Sequence, residues 1–113
     1  MSPPSFHLDV HRCDGAARLA VAGELDLATA PGLEGALAEL LDEPGLRLCI
    51  DLRKLRFMDS TGLRSLLRAS QRATREEREL TIVRGPQPIA RLFELSGLEA
   101  HLPLVDEPPA PLA

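Results

Sequence analysis

The feature that most constrains the fold of this 113-residue chain is the alternation of two hydrophobic periods along it. Segments in which apolar and polar residues alternate are typical of strands, and apolar residues recurring every three or four positions are typical of helices. The order predicted from these patterns is ββαβαβα, with a last short strand or edge near residues 102–105. Strands alternating with helices favour an α/β fold whose crossover helices pack on a sheet.

Four segments predict the strands. Residues 6–10 alternate, Asp14-Gly15 is a hairpin-type turn dipeptide, and residues 18–22 resume an extended pattern, so the chain begins with a β-hairpin. Residues 46–52 form a short apolar run that predicts a central strand, with Cys49 inside it as a small hydrophobe. Residues 80–83 predict a further strand.

Three segments have helical periodicity. The first follows a candidate N-cap, Thr29, and stops at Pro44-Gly45, the second follows Ser60, and the third runs from Pro88 to Gly97. Their inward-facing positions are Leu33, Ala36, Leu37, Leu40 and Leu41; Leu63, Leu66, Leu67 and Ser70, with Ala73 or Thr74; and Ile89, Leu92 and Phe93.

Composition supports a mixed fold of one domain. The chain has 22 Leu but only seven Val and Ile together, so helices should supply much of the core. The predicted domain spans residues 6–105. Residues 1–5, which include Pro3 and Pro4, form a flexible N-terminus, and the Pro-rich residues 106–113 form a disordered tail.

Several functional classes are excluded by composition. Cys13 and Cys49 form no disulfide framework or CxxC pair, and His7, His11 and His101 are too scattered for a ligand cluster, so no metal or cofactor is expected. A net charge of −4 without Trp or Tyr disfavours nucleic acid. No apolar run is long enough to cross a membrane and no secretory pattern is present, so we expect a cytoplasmic protein.

The charge is unevenly distributed. Residues 47–78 carry a net charge of +5, and the remainder carries −9. Part of the basic charge is a stripe at helical spacing on the second helix: Arg64, Arg68, Arg72 and Arg75. Such a stripe is either a solvated helix face or a docking edge for an acidic partner.

The segment Asp59-Ser60-Thr61-Gly62 is not explained by core or turns, and three interpretations are open. In the first, Ser60 or Thr61 is the helix N-cap, which leaves free N–H groups that would favour a phosphate nearby. In the second, Ser60 is a nucleophile, which requires a histidine brought in by the fold. In the third, the segment belongs to an aspartic protease half, but there Gly follows Asp by two residues rather than three.

A resemblance covering residues 6–105 selects among these interpretations. Residues 51–63, DLRKLRFMDSTGL, resemble the signature of the bacterial anti-sigma factor antagonists, which are small STAS-domain proteins. Residues 22–26, AGELD, resemble the element after the family's second strand. Residues 29–33 resemble the entry to the first helix, and residues 91–98, RLFELSGL, resemble the late helix with its Gly stop.

The resemblance implies the STAS fold, a mixed four- to five-stranded β-sheet packed with three to four α-helices. It also implies a binding module rather than an enzyme, with no catalytic residues. By this resemblance, the unphosphorylated chain is expected to bind an anti-sigma factor that is an ATP-binding Ser kinase, and this binding is expected to free a sigma factor. The kinase is expected to phosphorylate Ser60, and a phosphatase to reset it. The residues implied at the partner surface are Asp26, Asp59, Ser60, Thr61, Gly62, Arg64 and Arg68.

One departure from the family pattern and one alternative function accompany the resemblance. Arg64 stands where the family often has Gly or a small residue, which bears on partner identity. The alternative is a STAS-type scaffold or interaction subunit of a stress-signalling complex, without a Ser60 phospho-switch. The expected oligomeric state is a monomer or weak dimer.

Overall fold

The computed structural model describes residues 5–112, which form one mixed sheet with helices packed on it. The predicted element order is confirmed, with a short 3-10 helix added after the third α-helix. The elements are β1 (Phe6–Cys13), β2 (Ala16–Leu25), α1 (Ala30–Leu41), β3 (Arg47–Met58), α2 (Ser60–Arg75), β4 (Leu80–Val83), α3 (Gln87–Ser96), the 3-10 helix Glu99–His101 and β5 (Leu104–Val105).

The strands lie in the order β1-β2-β3-β4-β5. β1 pairs with β2 antiparallel, and the other three pairs are parallel, so the predicted α/β class is confirmed. The turn between β1 and β2 consists of Asp14 and Gly15, both with positive φ (48° and 77°). Two successive residues of positive φ are what a type I′ two-residue hairpin loop requires, which explains the Asp-Gly pair.

All three α-helices cover the same face of the sheet. Alternate residues of β3, Leu48, Ile50 and Leu52, are buried against them, as expected from the two-residue period of a strand. The predicted inward-facing leucines of α1 are buried as well. The leucine-rich composition therefore fills a layer between helices and sheet. No helix among residues 5–112 is both long and apolar enough to span a membrane.

The sheet face opposite the helices, called here the open face, carries Cys49 and Asp51. Cys49 is 1% exposed, and burial raises the pKa of its thiol, in agreement with a small hydrophobe. Burial also raises the pKa of Asp51. Hydrogen bonds from the side chain and N–H of Arg53 more than offset that effect and hold the Asp51 pKa below its ordinary value.

β3 is longer than predicted. Its apolar run ends at Leu52, but the strand continues through exposed Arg53, Lys54 and Arg56 to Met58. Pairing with β2 sustains it, since Leu25 lies opposite Met58 and two register shifts accommodate the extra residues. The longer strand carries the chain directly to Asp59, at the carboxyl end of the parallel strands.

The C-terminal segment differs from the disordered tail that the sequence predicts. Leu112 is only 5% exposed and packs on the open face with Ala16, Cys49 and Val83. Asp106 forms a 2.9 Å ion pair with Arg84. The sheet face opposite the helices has apolar surface, and Leu112 covers part of it. The prediction of a disordered tail did not take this uncovered surface into account. Residues 1–4 and 113 lie outside the described residues.

We predict that Leu112→Ala destabilises the fold by about 2 kcal/mol, at the low end for a buried leucine. The effect should be smaller than for most buried leucines because a cavity of about 60 Å³ already lies beside Leu112, so the side chain loses fewer contacts. Urea unfolding measures the change. Leu95→Ala is the matched control, since Leu95 is 73% exposed and its loss should change stability by less than about 0.5 kcal/mol.

Thiol reactivity provides a second measurement of the same contact. In a Cys13→Ser background, Cys49 should react faster with a thiol reagent in Leu112→Ala than with Leu112 present, because the cover is weakened. If Leu112→Ala is as stable as Leu95→Ala and leaves Cys49 equally slow, the tail does not cover the open face.

Candidate functional site

The candidate site lies where two loops meet at the carboxyl ends of β2 and β3. The backbone N–H of Asp59, directly after β3, donates to the carbonyl of Leu25 at the end of β2 (3.2 Å). Because these strands are parallel, the β2–α1 loop and the β3–α2 junction lie side by side. The fold therefore brings together Asp26 and the Asp59–Ser60 segment, 33 residues apart in the chain.

Asp59 is the N-cap of α2. Its Oδ1 accepts hydrogen bonds from the N–H groups of Thr61 (2.9 Å) and Gly62 (3.2 Å). The prediction that Ser60 or Thr61 caps the helix is wrong. Asp59 has the extended backbone that an N-cap needs, and its side chain accepts the capping hydrogen bonds. Ser60 is instead the first helical residue, and it is exposed.

Asp26 organises the neighbouring loop. Its Oδ1 accepts from the N–H groups of Ala28 (3.0 Å) and Thr29 (3.1 Å), as in an Asx turn. Thr29 stands at the N-cap position of α1, as predicted, but its hydroxyl does not cap the helix. The Thr29 hydroxyl donates to the carbonyl of Glu24 (2.8 Å) and accepts from the N–H of Asp26 (2.9 Å). The loop is therefore fixed by local bonds.

Gly62 sets how closely α2 approaches the sheet. A Cβ at this position would lie 2.6 Å from Cγ of Leu25 and 2.9 Å from Cγ of Met58, both of which are buried. Gly62 is itself buried, and Thr61 is half-buried. These two residues shape the segment that presents Ser60, and a role in partner contact stays a prediction.

The arginine stripe of α2 divides into two kinds of residue. Arg72 bonds Asp42 (2.5 Å) and Glu76 (2.9 Å), and Arg68 lies 3.8 Å from Glu34. Arg64 and Arg75 are exposed and form no ion pair with the residues that the structure describes. The middle of the stripe therefore joins α2 to α1, and only its two ends are free for other charges.

Two exposed apolar side chains near Ser60 were missed by the sequence analysis. Leu27, in the loop after Asp26, is 76% exposed, and Phe57, two residues before Asp59, is 48% exposed. Leu27 belongs to neither the strand pattern nor the helix pattern, and this position outside both could have indicated an exposed side chain. Phe57 lies in the unexpected extension of β3. Together they supply exposed apolar area on the two segments that meet at the site.

The histidines give no support for a nucleophilic Ser60. His7 lies between Phe6 and Leu8, which pack on the helix side of the sheet, so its side chain faces away from α2. His101 lies beside Thr74 and Arg75, about 22 Å along α2 from Ser60. His11 pairs with Arg18, near the opposite end of β2. Within residues 5–112, no group of three or more His, Cys, Asp or Glu could hold a metal ion.

Comparison with known proteins identifies the family. Residues 8–106 match the family model described as Mlab, STAS domain. An anti-sigma-B factor antagonist of Listeria monocytogenes is 38% identical over 78 residues, which cover 69% of this chain and 68% of that protein. The chain belongs to the STAS-domain family of anti-sigma factor antagonists. A Staphylococcus aureus anti-sigma-B factor antagonist is 34% identical over 79 residues, covering 70% of this chain and 73% of that one.

Solved structures agree with the family assignment. The crystal structure of an anti-sigma factor antagonist from Mycobacterium paratuberculosis has a TM-score of 0.73 and 33% identity, covering 95% of this chain and 92% of that one. A putative anti-sigma factor antagonist from Thermotoga maritima has a TM-score of 0.80 at 16% identity, covering 88% and 86%, and shows the fold alone. The predicted STAS fold is confirmed, with five strands and three α-helices.

We predict that Gly62→Ala destabilises this STAS domain by about 1–2 kcal/mol. The added methyl displaces Leu25 or Met58, which costs more than the gain in helix propensity. Gly35→Ala in α1 is the matched control, since a Cβ there meets nothing within 4 Å. It should stabilise the fold by about 0.5–1 kcal/mol. Thermal or urea unfolding measures both, and equal effects would refute the close approach at Gly62.

Proposed function

We propose that this chain binds an anti-sigma factor that is a Ser kinase while Ser60 is unphosphorylated, and thereby releases a sigma factor. Phosphorylation of Ser60 ends the complex, and a phosphatase restores the binding form. The observation that carries the proposal is the position of Ser60. Its hydroxyl belongs to an exposed first residue of α2, where Asp59 leaves it free of the capping role.

The proposed docking surface surrounds this hydroxyl. Its centre is Ser60 with the Asp26 loop beside it, and Leu27 and Phe57 add exposed apolar area that a partner could bury. Gly62 contributes by letting α2 sit close to Leu25 rather than by direct contact. The residues of the docking surface are Asp26, Leu27, Phe57, Asp59, Ser60, Thr61, Arg64 and Arg68, and the buried Gly62 supports them from within.

A single phosphate is sufficient for such a switch. It adds about −1.5 to −2 charges to a neutral hydroxyl. At about 4 Å from a partner carboxylate and an effective dielectric near 20, each unit charge costs roughly 4 kcal/mol. Since about 1.4 kcal/mol is a tenfold change in affinity, a phosphate on Ser60 can release a tight complex.

The proposed role is regulatory rather than enzymatic. The named relatives are antagonists of an anti-sigma factor, and none of the three histidines of this chain lies beside Ser60. The partners are therefore protein: an anti-sigma factor kinase and a phosphatase. Sigma factors act in the cytoplasm, which is where we place the function.

The test is incubation of the purified chain with ATP and candidate anti-sigma factor kinases, read by phosphopeptide mass spectrometry. We expect one phosphate on Ser60 with a cognate kinase and none in Ser60→Ala. Ser96→Ala is the matched control, because Ser96 also lies exposed at a helix end and its loss should leave labelling unchanged.

Two outcomes would contradict the proposal. One is labelling that persists in Ser60→Ala, which would place the modification elsewhere. The other is an anti-sigma factor kinase that binds the chain and never phosphorylates it, which would favour the scaffold function without a phospho-switch.

A further inference from the structure

Little of the backbone at the start of α2 is available to a phosphate on Ser60, because only the N–H of Ser60 itself lacks an acceptor there among the described residues. The N–H groups of Thr61 and Gly62 already donate to the Asp59 carboxylate, and the N–H of Leu63 donates to the Asp59 carbonyl. Free N–H groups were expected here, and that expectation is wrong for Thr61 and Gly62 because Asp59 is the cap. A phosphate would therefore have to obtain its counter-charge from a side chain.

The surroundings of Ser60 make a counter-charge necessary. Asp59 precedes it directly, and Asp26 lies in the neighbouring loop, one residue after the Leu25 carbonyl that accepts from the Asp59 N–H. A phosphate would add about two negative charges to a site that holds two carboxylates. Like charges at this range repel, so a nearby cation decides how well the phosphorylated form is tolerated.

Arg64 is the cation placed to meet the phosphate. It lies four residues after Ser60, and side chains at that spacing are neighbours on a helix surface, with Cβ atoms about 5–6 Å apart. The pair also has the favourable order, with the negative group N-terminal to the positive one. Arg68 and Arg72 of the same stripe are engaged by Glu34, Asp42 and Glu76, whereas Arg64 is exposed and has no ion pair with any described residue.

We propose that Arg64 is the intramolecular ligand of the phosphate on Ser60. This inference rests on the proposed function for its occurrence in the cell. Its guanidinium can donate two parallel hydrogen bonds to phosphate oxygens. Phosphorylation then has two effects on the docking surface. It adds the phosphate, and it engages Arg64 so that this side chain no longer contacts a partner.

The test uses the full chain with phosphoserine installed at position 60 by genetic encoding, so that no kinase is needed. Melting temperatures of the phosphorylated and unphosphorylated forms are compared at low salt, with Arg64 and with Arg64→Gln. We expect phosphorylation to lower the melting temperature by about 2–4 °C more in Arg64→Gln than with Arg64 present. Arg64→Lys should show a phosphorylation shift between those of Arg64 and Arg64→Gln. Lysine keeps the positive charge but cannot donate the two parallel hydrogen bonds of a guanidinium.

Matched variants exclude a general charge effect. Arg75→Gln removes the other unpaired arginine of the stripe, and Arg56→Gln removes an exposed arginine on the other side of Asp59. Neither should change the phosphorylation shift, and 1 M salt should reduce the Arg64 effect because the screening length falls to about 3 Å.

A phosphorylation shift that is the same in Arg64→Gln as in the parent chain, or one that responds to Arg56→Gln instead, overturns the assignment. These results are independent of the kinase assay. Failure of Ser60 phosphorylation by any anti-sigma factor kinase refutes the proposed function, whereas failure of the melting experiment refutes only the role of Arg64.

Discussion

The two hydrogen bonds that the Asp59 carboxylate accepts from the N–H groups of Thr61 and Gly62 determine the rest of the site. They begin α2 one residue after β3 ends, and they make Ser60 the first helical residue. If Ser60 were the cap, its hydroxyl would be engaged with the helix backbone and less accessible to a kinase. By capping the helix, the Asp59 carboxylate leaves the Ser60 hydroxyl free. Its negative charge also raises the electrostatic cost of a phosphate on Ser60.

Contacts with the sheet hold Asp59 and α2 in this arrangement. Asp59 is held beside the β2–α1 loop through the Leu25 carbonyl, and the missing side chain of Gly62 lets α2 lie against Leu25 and Met58. Both constraints act on the end of the parallel strands, where the loops of neighbouring strands converge. A helix displaced by one methyl group would move the serine relative to Asp26, so packing and presentation of the site are coupled.

Most of the architecture was predictable from local patterns. The Asp14-Gly15 turn, the leucine stripe of α1 and the Gly97 stop are short-range signals, and each is confirmed. Features decided by distant contacts were not predictable. Three adjacent residues could each cap α2, and the choice of Asp59 depends on where β3 ends, which pairing with the distant β2 decides.

The same reason explains two further differences. The exposed extension of β3 depends on pairing with β2, and the packing of Leu112 depends on a bare sheet face that no local pattern reveals. Family resemblance led to the prediction that Asp59–Gly62 is the functional segment. It could not reveal that Leu27 and Phe57 are exposed beside the segment, or that Arg64 is free while Arg68 and Arg72 are paired.

The central claim is that one hydroxyl at the start of α2 controls binding to an anti-sigma factor. Calorimetric titration of the cognate anti-sigma factor kinase with the unmodified chain and with its phospho-Ser60 form tests this claim most directly. The account predicts that the phosphate weakens binding by about 100-fold or more, since each repelled unit charge costs several kcal/mol. Equal affinities for the two forms would contradict it.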